Sequence, residues 1–199
     1  MLHKVVVDFN FWKRLIKIDE RIAAEVAAGR CQHCGGRLHR SDYVRKARGG
    51  LIAVAVDDGD ALRISLCCDR DGCRKRATPP SVRFLGRKVY AGAAIVIACV
   101  ILRKSATAGA ARRRSGIAAR TMRRWSRWWQ ADYARSQHFE ATRSLFAPPV
   151  QVNELPESLW QRFIKRAGSE LLGLRRLLGF LAPVTTTTVA DGSRFVRVE

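Results

Sequence analysis

The sequence predicts an α+β fold, mostly α: a small zinc-ribbon β-hairpin module, then a helical helix-turn-helix domain, then a C-terminal amphipathic helix. Three observations predict it. Five of the six cysteines lie between positions 31 and 73, apolar residues recur at helical spacing further along, and 37 Lys and Arg stand against 17 Asp and Glu. A chain of 199 residues buries one good core or two small ones, which argues against a large enzyme fold.

Glycines and prolines divide the chain into predicted segments. These are an N-terminal strand and helix, a zinc ribbon, a helix-turn-helix domain, and a linker with an amphipathic helix and a tail, at residues 1–29, 30–80, 81–147 and 148–199. In the first segment, residues 5–7 are β-prone. Apolar residues at helical spacing then predict a helix from about Asp8 to Ala28, which Gly29 ends and which packs on the zinc module.

The cysteines have the spacing of metal ligands. Cys31 and Cys34 stand in CQHCGG, where two thiolates three residues apart in a tight turn reach one ion. The second half is CCDRDGC, at residues 67–73, and supplies Cys73 plus one of the adjacent pair. We favour Cys68 over Cys67, because Ile64, Leu66 and Cys68 alternate onto one strand face. His33 or His39 remains an alternative ligand.

The predicted cofactor is therefore a structural Zn²⁺ held by Cys31, Cys34, Cys68 and Cys73. Four protein ligands leave no position for a reactive water, so we expect no catalysis at this ion. Apolar or β-branched runs at residues 51–56 and 61–67, separated by DDGD, predict a hairpin inside the module.

The longest apolar run covers residues 89–102, which are 14 residues with basic residues on both sides. That is short of the ~20 residues that a membrane span requires, so the run predicts a buried helix and no membrane association. The first residues lack the pattern of a secretory signal, and we expect a cytoplasmic, nucleoid-associated bacterial protein.

Residues 106–129 have the pattern of a helix-turn-helix: a short helix from about Thr107 to Arg114, a turn at Ser115-Gly116, and a recognition helix from about Ala118 to Gln137. The predicted buried face of the second helix is Met122, Trp125 and Trp129. Nine Lys or Arg and no acid lie between Arg103 and Arg127. Repulsion among these charges would destabilise a helix with a purely structural role, whereas DNA phosphates and guanine edges would compensate the charges.

A net charge of +20, mostly from arginine, favours a polyanionic partner, and double-stranded DNA is the predicted one. The predicted nucleic-acid contacts are Arg112, Arg113, Arg114, Arg120, Thr121, Arg123, Arg124 and Arg127 in the helical domain, with Arg45, Lys46, Arg48, Arg74 and Arg76 in the zinc ribbon.

A last amphipathic helix is expected from about Pro156 to Leu181, with Leu159, Phe163 and Leu174 among its apolar positions. Its apolar face fits the core, a homodimer seam or a docking site for a transposase or another protein, and the sequence does not decide among these.

The order CxxCGG, LHRSDYVRKARG, SLCCDRDGCRKRATPPSVRFLGRKVY and SGIAARTMRRWSRWW resembles proteins associated with bacterial insertion sequences, over roughly residues 30 to 130. In those proteins a zinc ribbon precedes a helix-turn-helix that binds element ends. The resemblance implies a transposition-associated or regulatory DNA-binding factor, and it implies that any catalytic domain belongs to a separate chain.

Two other functions remain open on sequence grounds. One is an RNA-binding zinc-ribbon protein, which shares the charge and the metal. The other is a nucleic-acid-tethered adaptor that recruits a partner through its C-terminal helix. An enzyme is not expected, because the sequence has no paired catalytic carboxylates, no activated nucleophile set and no phosphate loop.

Overall fold

The structure is a computed structural model that describes residues 8–44, 62–85 and 90–185. Several sequence predictions lie outside these ranges. They are the strand at residues 5–7, the run at 51–56 with its DDGD turn, the tail after residue 185, and the contacts Arg45, Lys46 and Arg48.

Helix α1 spans Phe9–Ala28, as the apolar spacing predicted. The side chain of Asp8 caps its first turn by accepting a 3.0 Å hydrogen bond from the backbone N–H of Phe11, and Gly29 follows its last turn. Its buried apolar face, which includes Phe11, Leu15 and Ile22, packs into the main core. The helix also contacts the strand Leu38–Arg40. This is the first strand of the segment predicted as a zinc ribbon, residues 30–80, which is called the cysteine-rich module.

The described strands are short and antiparallel: β1 Leu38–Arg40, β2 Tyr43–Val44, β3 Leu62–Arg63, β4 Leu66–Cys68, β5 Arg76–Ala77, β6 Phe84–Leu85 and β7 Tyr90–Ala91. Strands β1, β4 and β5 form one three-stranded sheet with β4 in the centre. The pairs β2–β3 and β6–β7 stand apart from it. The cysteine-rich module is thus built on a small sheet whose central strand ends at Cys68.

Helix α2 spans Gly92–Arg103 and corresponds to the longest apolar run of the sequence. Every residue from Gly92 to Ile101 is buried, so this helix lies in the core on all its faces. None of the helices in the described ranges combines the length and the apolar content needed to cross a membrane.

Two helices and a glycine turn follow, in the predicted order. Helix α3 spans Ala108–Ser115, and Gly116 after it has φ of +67°, a conformation that glycine adopts without strain. Helix α4 spans Ala119–Trp128. Both helices pack on α2 and on each other.

The second helix is shorter than predicted. The sequence suggested one helix to about Gln137, but α4 passes into a π-helical turn at Trp129–Tyr133, and a separate helix α5 spans Gln137–Thr142. Ser136 ends the run, because its side chain accepts a hydrogen bond from the N–H of Phe139 and so caps the new helix. A 3-10 turn at Arg143–Leu145 follows.

The predicted C-terminal helix is in fact a helical hairpin. Helix α6 spans Glu157–Ala167 and α7 spans Glu170–Leu181. Gly168, with φ of +70°, ends α6, and the side chain of Ser169 caps α7. The apolar spacing runs through both helices without a break, so periodicity alone could not show the turn, although the Gly-Ser pair is a stop and start signal.

One hydrophobic cluster contains buried residues of α1, α2, α4, α6 and α7. It includes Val150 and Leu155 from the segment that the sequence predicted as a linker, and Phe146 just before that segment. This segment packs on the core because burial of its apolar side chains is favourable. Its prolines prevent a helix there, but packing does not require one. The N-terminal, central and C-terminal helices therefore share a single core.

A buried polar network joins the hydrophobic core to the cysteine-rich module. Asp19 of α1 is 1% exposed, and its carboxylate accepts hydrogen bonds from the backbone N–H of Val82 (2.7 Å), the hydroxyl of Ser81 (2.6 Å) and Nε of Arg83 (2.8 Å). Arg83 is 4% exposed and donates onward to the carbonyl of Leu62 in β3 (2.9 Å). The carboxylate thus holds three elements in one arrangement.

Asp19→Ala should destabilise the protein by about 3–5 kcal/mol, because it leaves the Arg83 guanidinium buried without its counter-charge. Chemical denaturation followed by circular dichroism measures this. The matched control is Glu25→Ala on the exposed side of the same helix, which should change stability by no more than about 0.5 kcal/mol. Equal stability of the two variants would contradict the structural role of Asp19.

Candidate metal centre and basic helical surface

Four cysteine side chains meet beside the three-stranded sheet. The Sγ atoms of Cys31, Cys34, Cys68 and Cys73 all lie within 4.8 Å of one another. The Sγ of Cys31 is 3.8 Å from that of Cys73, and the Sγ of Cys34 is 3.4 Å from that of Cys68. This group could hold a metal ion. They are the same four cysteines that the sequence predicted as ligands.

The ligands come from two tight turns that face each other. In the first, the N–H of Gly35 donates to the carbonyl of Cys31 (2.8 Å), and Gly35 has φ of +70°. In the second, Gly72 has φ of +82° and the N–H of Cys73 donates to the carbonyl of Arg70 (3.1 Å). Glycine permits these left-handed conformations, and each turn therefore brings its cysteines to one point.

Backbone N–H groups point at the sulfur atoms. Those of His33, Arg70 and Lys75, each two residues after a cysteine, form hydrogen bonds with the Sγ atoms of Cys31, Cys68 and Cys73. Such bonds stabilise a thiolate. At Cys31 the bond from His33 is the largest effect, and it lowers the pKa of the thiol to about 7 although burial opposes it.

The four thiols cannot all ionise on their own. At Cys68 the N–H of Arg70 lowers the pKa, but burial and the neighbouring thiols outweigh it and raise the pKa to about 12. The pKa of Cys73 is also raised, because its neighbours Cys34 and Cys31 and its burial outweigh the bond from Lys75. Negative charges this close together repel, and a cation bound among them would favour the full set of thiolates.

Gly36 allows the two turns to approach. A Cβ atom at this position would lie 2.8 Å from the Sγ of Cys68, closer than real Cβ contacts. The Nη1 of Arg70 donates to the carbonyl of Cys34 (2.8 Å) and links the turns a second time. The second glycine of CQHCGG is therefore required for close packing against a ligand, a role that only the structure reveals.

The other candidate ligands lie elsewhere. Cys67 is on the opposite side of β4, with its Sγ 3.5 Å from the carbonyl of Arg74. The Nε2 of His39 lies 3.4 Å from a carboxylate oxygen of Asp69, and His33 is exposed. Neither histidine belongs to the group of potential metal ligands found in the described residues.

The adjacent cysteines provide a matched test of the site. Cys68→Ser should abolish stoichiometric metal binding, because it removes one of four converging thiolates. Cys67→Ser makes the same chemical change one residue away and should keep the full metal content. Elemental analysis of the purified proteins measures both. Loss of metal from the Cys67 variant alone would reverse the ligand assignment.

Gly36→Ala should weaken metal binding even though all four cysteines remain, because the added methyl group pushes Cys68 away. A competition titration with a chromophoric chelator measures the affinity. The control is Gly109→Ala in α3, where the nearest atom to the new Cβ would be 3.7 Å away. Unchanged affinity in the Gly36 variant would refute the proposed steric constraint.

The second predicted site is the outer surface of α3 and α4. Met122 and Trp125 on α4 and Trp129 at the start of the π-helical turn are buried, as predicted, and they fix the orientation of the helix on α2. By helical periodicity, Arg120 and Arg127 lie opposite this face, while Arg123 and Arg124 flank them. All four arginines are exposed, and Thr121 is half-buried.

The turn before α4 is held by a buried serine. The hydroxyl of Ser115 donates to the carbonyl of Ala111 (2.9 Å) and accepts from the N–H of Ile117 (3.2 Å). Arg112, Arg113 and Arg114 precede it and are exposed in the last turn of α3. None of the ion pairs within the described ranges involves Arg112, Arg113, Arg120, Arg123 or Arg127.

Two of the predicted nucleic-acid contacts in the cysteine-rich module, Arg74 and Arg76, bind other groups of this chain. Arg74 forms an exposed ion pair of 3.7 Å with Asp71. The Nη1 of Arg76 donates to the carbonyl of Ser41 (3.2 Å) and lies 3.4 Å from the hydroxyl of Ser65. Arg76 therefore fastens strand β5 to its neighbours, and its first role is structural.

Comparisons of the chain with models of protein families, with curated proteins and with solved structures found no match. The resemblance to insertion-sequence proteins therefore stays a prediction. Function has to be argued from the two sites themselves.

Proposed function

We propose that this protein is a zinc-stabilised, sequence-specific DNA-binding protein in which α4 is the recognition helix. In this proposal it acts as a transposition-associated or regulatory factor beside a separate catalytic chain, and it has no catalytic role of its own. The observation that carries the proposal is the arginine-rich outer face of α4, directly opposite a buried Met-Trp-Trp face.

The arrangement around α4 supports DNA as the partner. A recognition helix must present polar side chains while its other face is anchored to a support helix, and α4 is anchored on α2 and α3. Arg120 stands at the second position of α4, in the part of a recognition helix that meets base edges. Arg127 and the run Arg112–Arg114 are placed to contact phosphates.

Zinc is the proposed metal. A group of four thiolates suits Zn²⁺, which prefers a closed tetrahedral set when its role is structural. The described part of the module has few buried apolar residues of its own, and a metal ion would supply the free energy that its sheet lacks. Iron is the main competitor for such a site, and elemental analysis distinguishes the two metals.

The adaptor hypothesis depends on an accessible apolar face in the C-terminal region. Leu159 and Trp160 of α6 and Leu174, Leu177 and Leu178 of α7 are buried within this chain. They are therefore engaged in the core, and a recruited transposase or second copy would have to bind other residues of this hairpin. We accordingly give DNA binding priority.

Selection from a random duplex-DNA pool at ~150 mM salt should enrich a defined motif, because non-specific charge attraction is weakened at that ionic strength. Arg120→Ala should then weaken binding to the selected site by about 1–3 kcal/mol and relax the preference at one base position. Fluorescence anisotropy with the selected site and single-base variants measures this.

The matched control is Arg143→Ala, which removes one exposed charge outside α3 and α4, at a residue that pairs with Glu140 (3.2 Å). It should leave specific binding unchanged. Three results would overturn the proposal: no enriched duplex motif, equal losses in both variants, or enrichment in a parallel single-stranded RNA pool alone.

A further inference from the structure

The outward face of α1 is basic. Its buried face contains Phe11, Trp12, Leu15 and Ile22, and helical periodicity places Lys13 and Lys17 on the opposite side and Arg14 on the flank. All three of these side chains are exposed. This pattern is visible in the sequence once the helix is fixed, although the sequence analysis did not single it out.

A second helix, α7, brings Arg175 close to Arg14. Arg175 and Arg176 are adjacent in α7, and the Nη1 of Arg176 donates to the carbonyl of Arg166 at the end of α6 (3.2 Å). The Nε of Arg175 is buried and has no hydrogen-bond partner. Burial, together with the nearby charges of Arg14 and Arg176, lowers the pKa of Arg175.

These five residues, Lys13, Arg14, Lys17, Arg175 and Arg176, are called the α1–α7 basic surface. None of them takes part in an ion pair within the described residues. Like charges that crowd together destabilise a fold unless an anion compensates them. An anion bound near this surface would also stabilise the partly buried charge of Arg175.

The chemistry of this surface favours a phosphodiester backbone over a membrane. A helix that lies on a membrane inserts an apolar face, but the apolar face of α1 is packed in the core. Phe9 is the single large apolar side chain of α1 that is well exposed, at 60%, and the Nζ of Lys13 lies 4.2 Å from its ring centre. The guanidinium group of arginine forms paired hydrogen bonds with phosphate, and an exposed aromatic ring can stack on a base. Both features suit nucleic acid.

We propose that the α1–α7 basic surface is a second contact surface for the phosphate backbone of nucleic acid, separate from α3 and α4. The inference rests on the proposed function and extends it, because it adds contacts that carry no sequence information. Such contacts raise affinity for all duplexes alike and increase its dependence on salt.

The test uses the full chain with the α4 surface weakened by Arg120→Ala and Arg127→Ala. Residual binding to a duplex of arbitrary sequence is measured by anisotropy over a range of salt concentrations. Adding Arg14→Gln and Arg176→Gln should reduce the slope of log affinity against log salt by about 2, because each lost phosphate contact removes about 0.9. Thermal unfolding of every variant checks that the fold is intact.

The matched control adds Arg135→Gln and Arg143→Gln instead, which removes the same charge from exposed positions just before and just after α5. The slope should stay as it was. Equal slopes in the two quadruple variants would overturn the α1–α7 basic surface while leaving the recognition-helix proposal standing. If the unmodified protein binds no nucleic acid, both proposals fall.

Vesicles of phosphatidylserine and phosphatidylcholine provide the remaining comparison. We expect no co-sedimentation of the protein with them at ~150 mM salt, because a basic patch without an apolar insertion binds weakly once charges are screened. Co-sedimentation that is lost with Arg14→Gln and Arg176→Gln, beside unchanged duplex binding, would assign this surface to a membrane and overturn the inference.

Discussion

The buried carboxylate of Asp19 is the constraint that fixes α1 against the segment before β6 and against β3. It accepts hydrogen bonds from two side chains and one backbone N–H of the segment before β6, and through Arg83 it reaches the carbonyl of Leu62. The N–H of Ser81 also donates to the hydroxyl of Thr185, which brings the end of the C-terminal hairpin to the same point. A charge buried this deeply is tolerated only when all its partners are in place, so it specifies one relative placement of these elements.

Arg63 extends this network towards the cysteine-rich module. It is buried in β3, its Nη2 donates to the carbonyl of Pro79 (2.7 Å), and burial lowers the pKa of its guanidinium while Asp19 opposes that shift. One buried carboxylate therefore faces two buried arginines. The cysteine-rich module and the helical core are joined through charge and hydrogen bonds, whereas four converging cysteines lie at the centre of one and apolar packing builds the other.

Local patterns were sufficient to predict the elements that depend on local rules. The helix of residues 9–28, the Ser115-Gly116 turn, the buried face of Met122, Trp125 and Trp129, and the grouping of Cys68 in place of Cys67 follow from spacing and alternation. What failed was the length of the predicted helices, because apolar spacing does not mark where a helix ends. The break between α6 and α7 leaves the apolar period intact, and the π-helical turn at Trp129–Tyr133 has no sequence signature in a single chain.

The candidate metal site shows the same contrast between what local spacing predicts and what it does not. Thiol spacing predicted which cysteines meet, but the steric role of Gly36 needs the position of Cys68, which lies 32 residues further along the sequence and on another turn. Asp19 and Arg83 were not singled out, because a charged residue on an apolar helix face is only informative when its partners are known. Sequence patterns report the period of a face, and they do not report what that face meets.

The burial of α2 on every side has a consequence for the order in which the protein is made. During synthesis, Gly92–Arg103 leaves the ribosome well before α6 and α7, and both of these helices pack on it. Leu178 of α7 approaches Gly92 so closely that a Cβ there would lie 3.0 Å from it. Until the last hairpin has been translated, a helix that is apolar from Gly92 to Leu102 lacks part of its cover, so the nascent chain exposes an aggregation-prone segment during this interval.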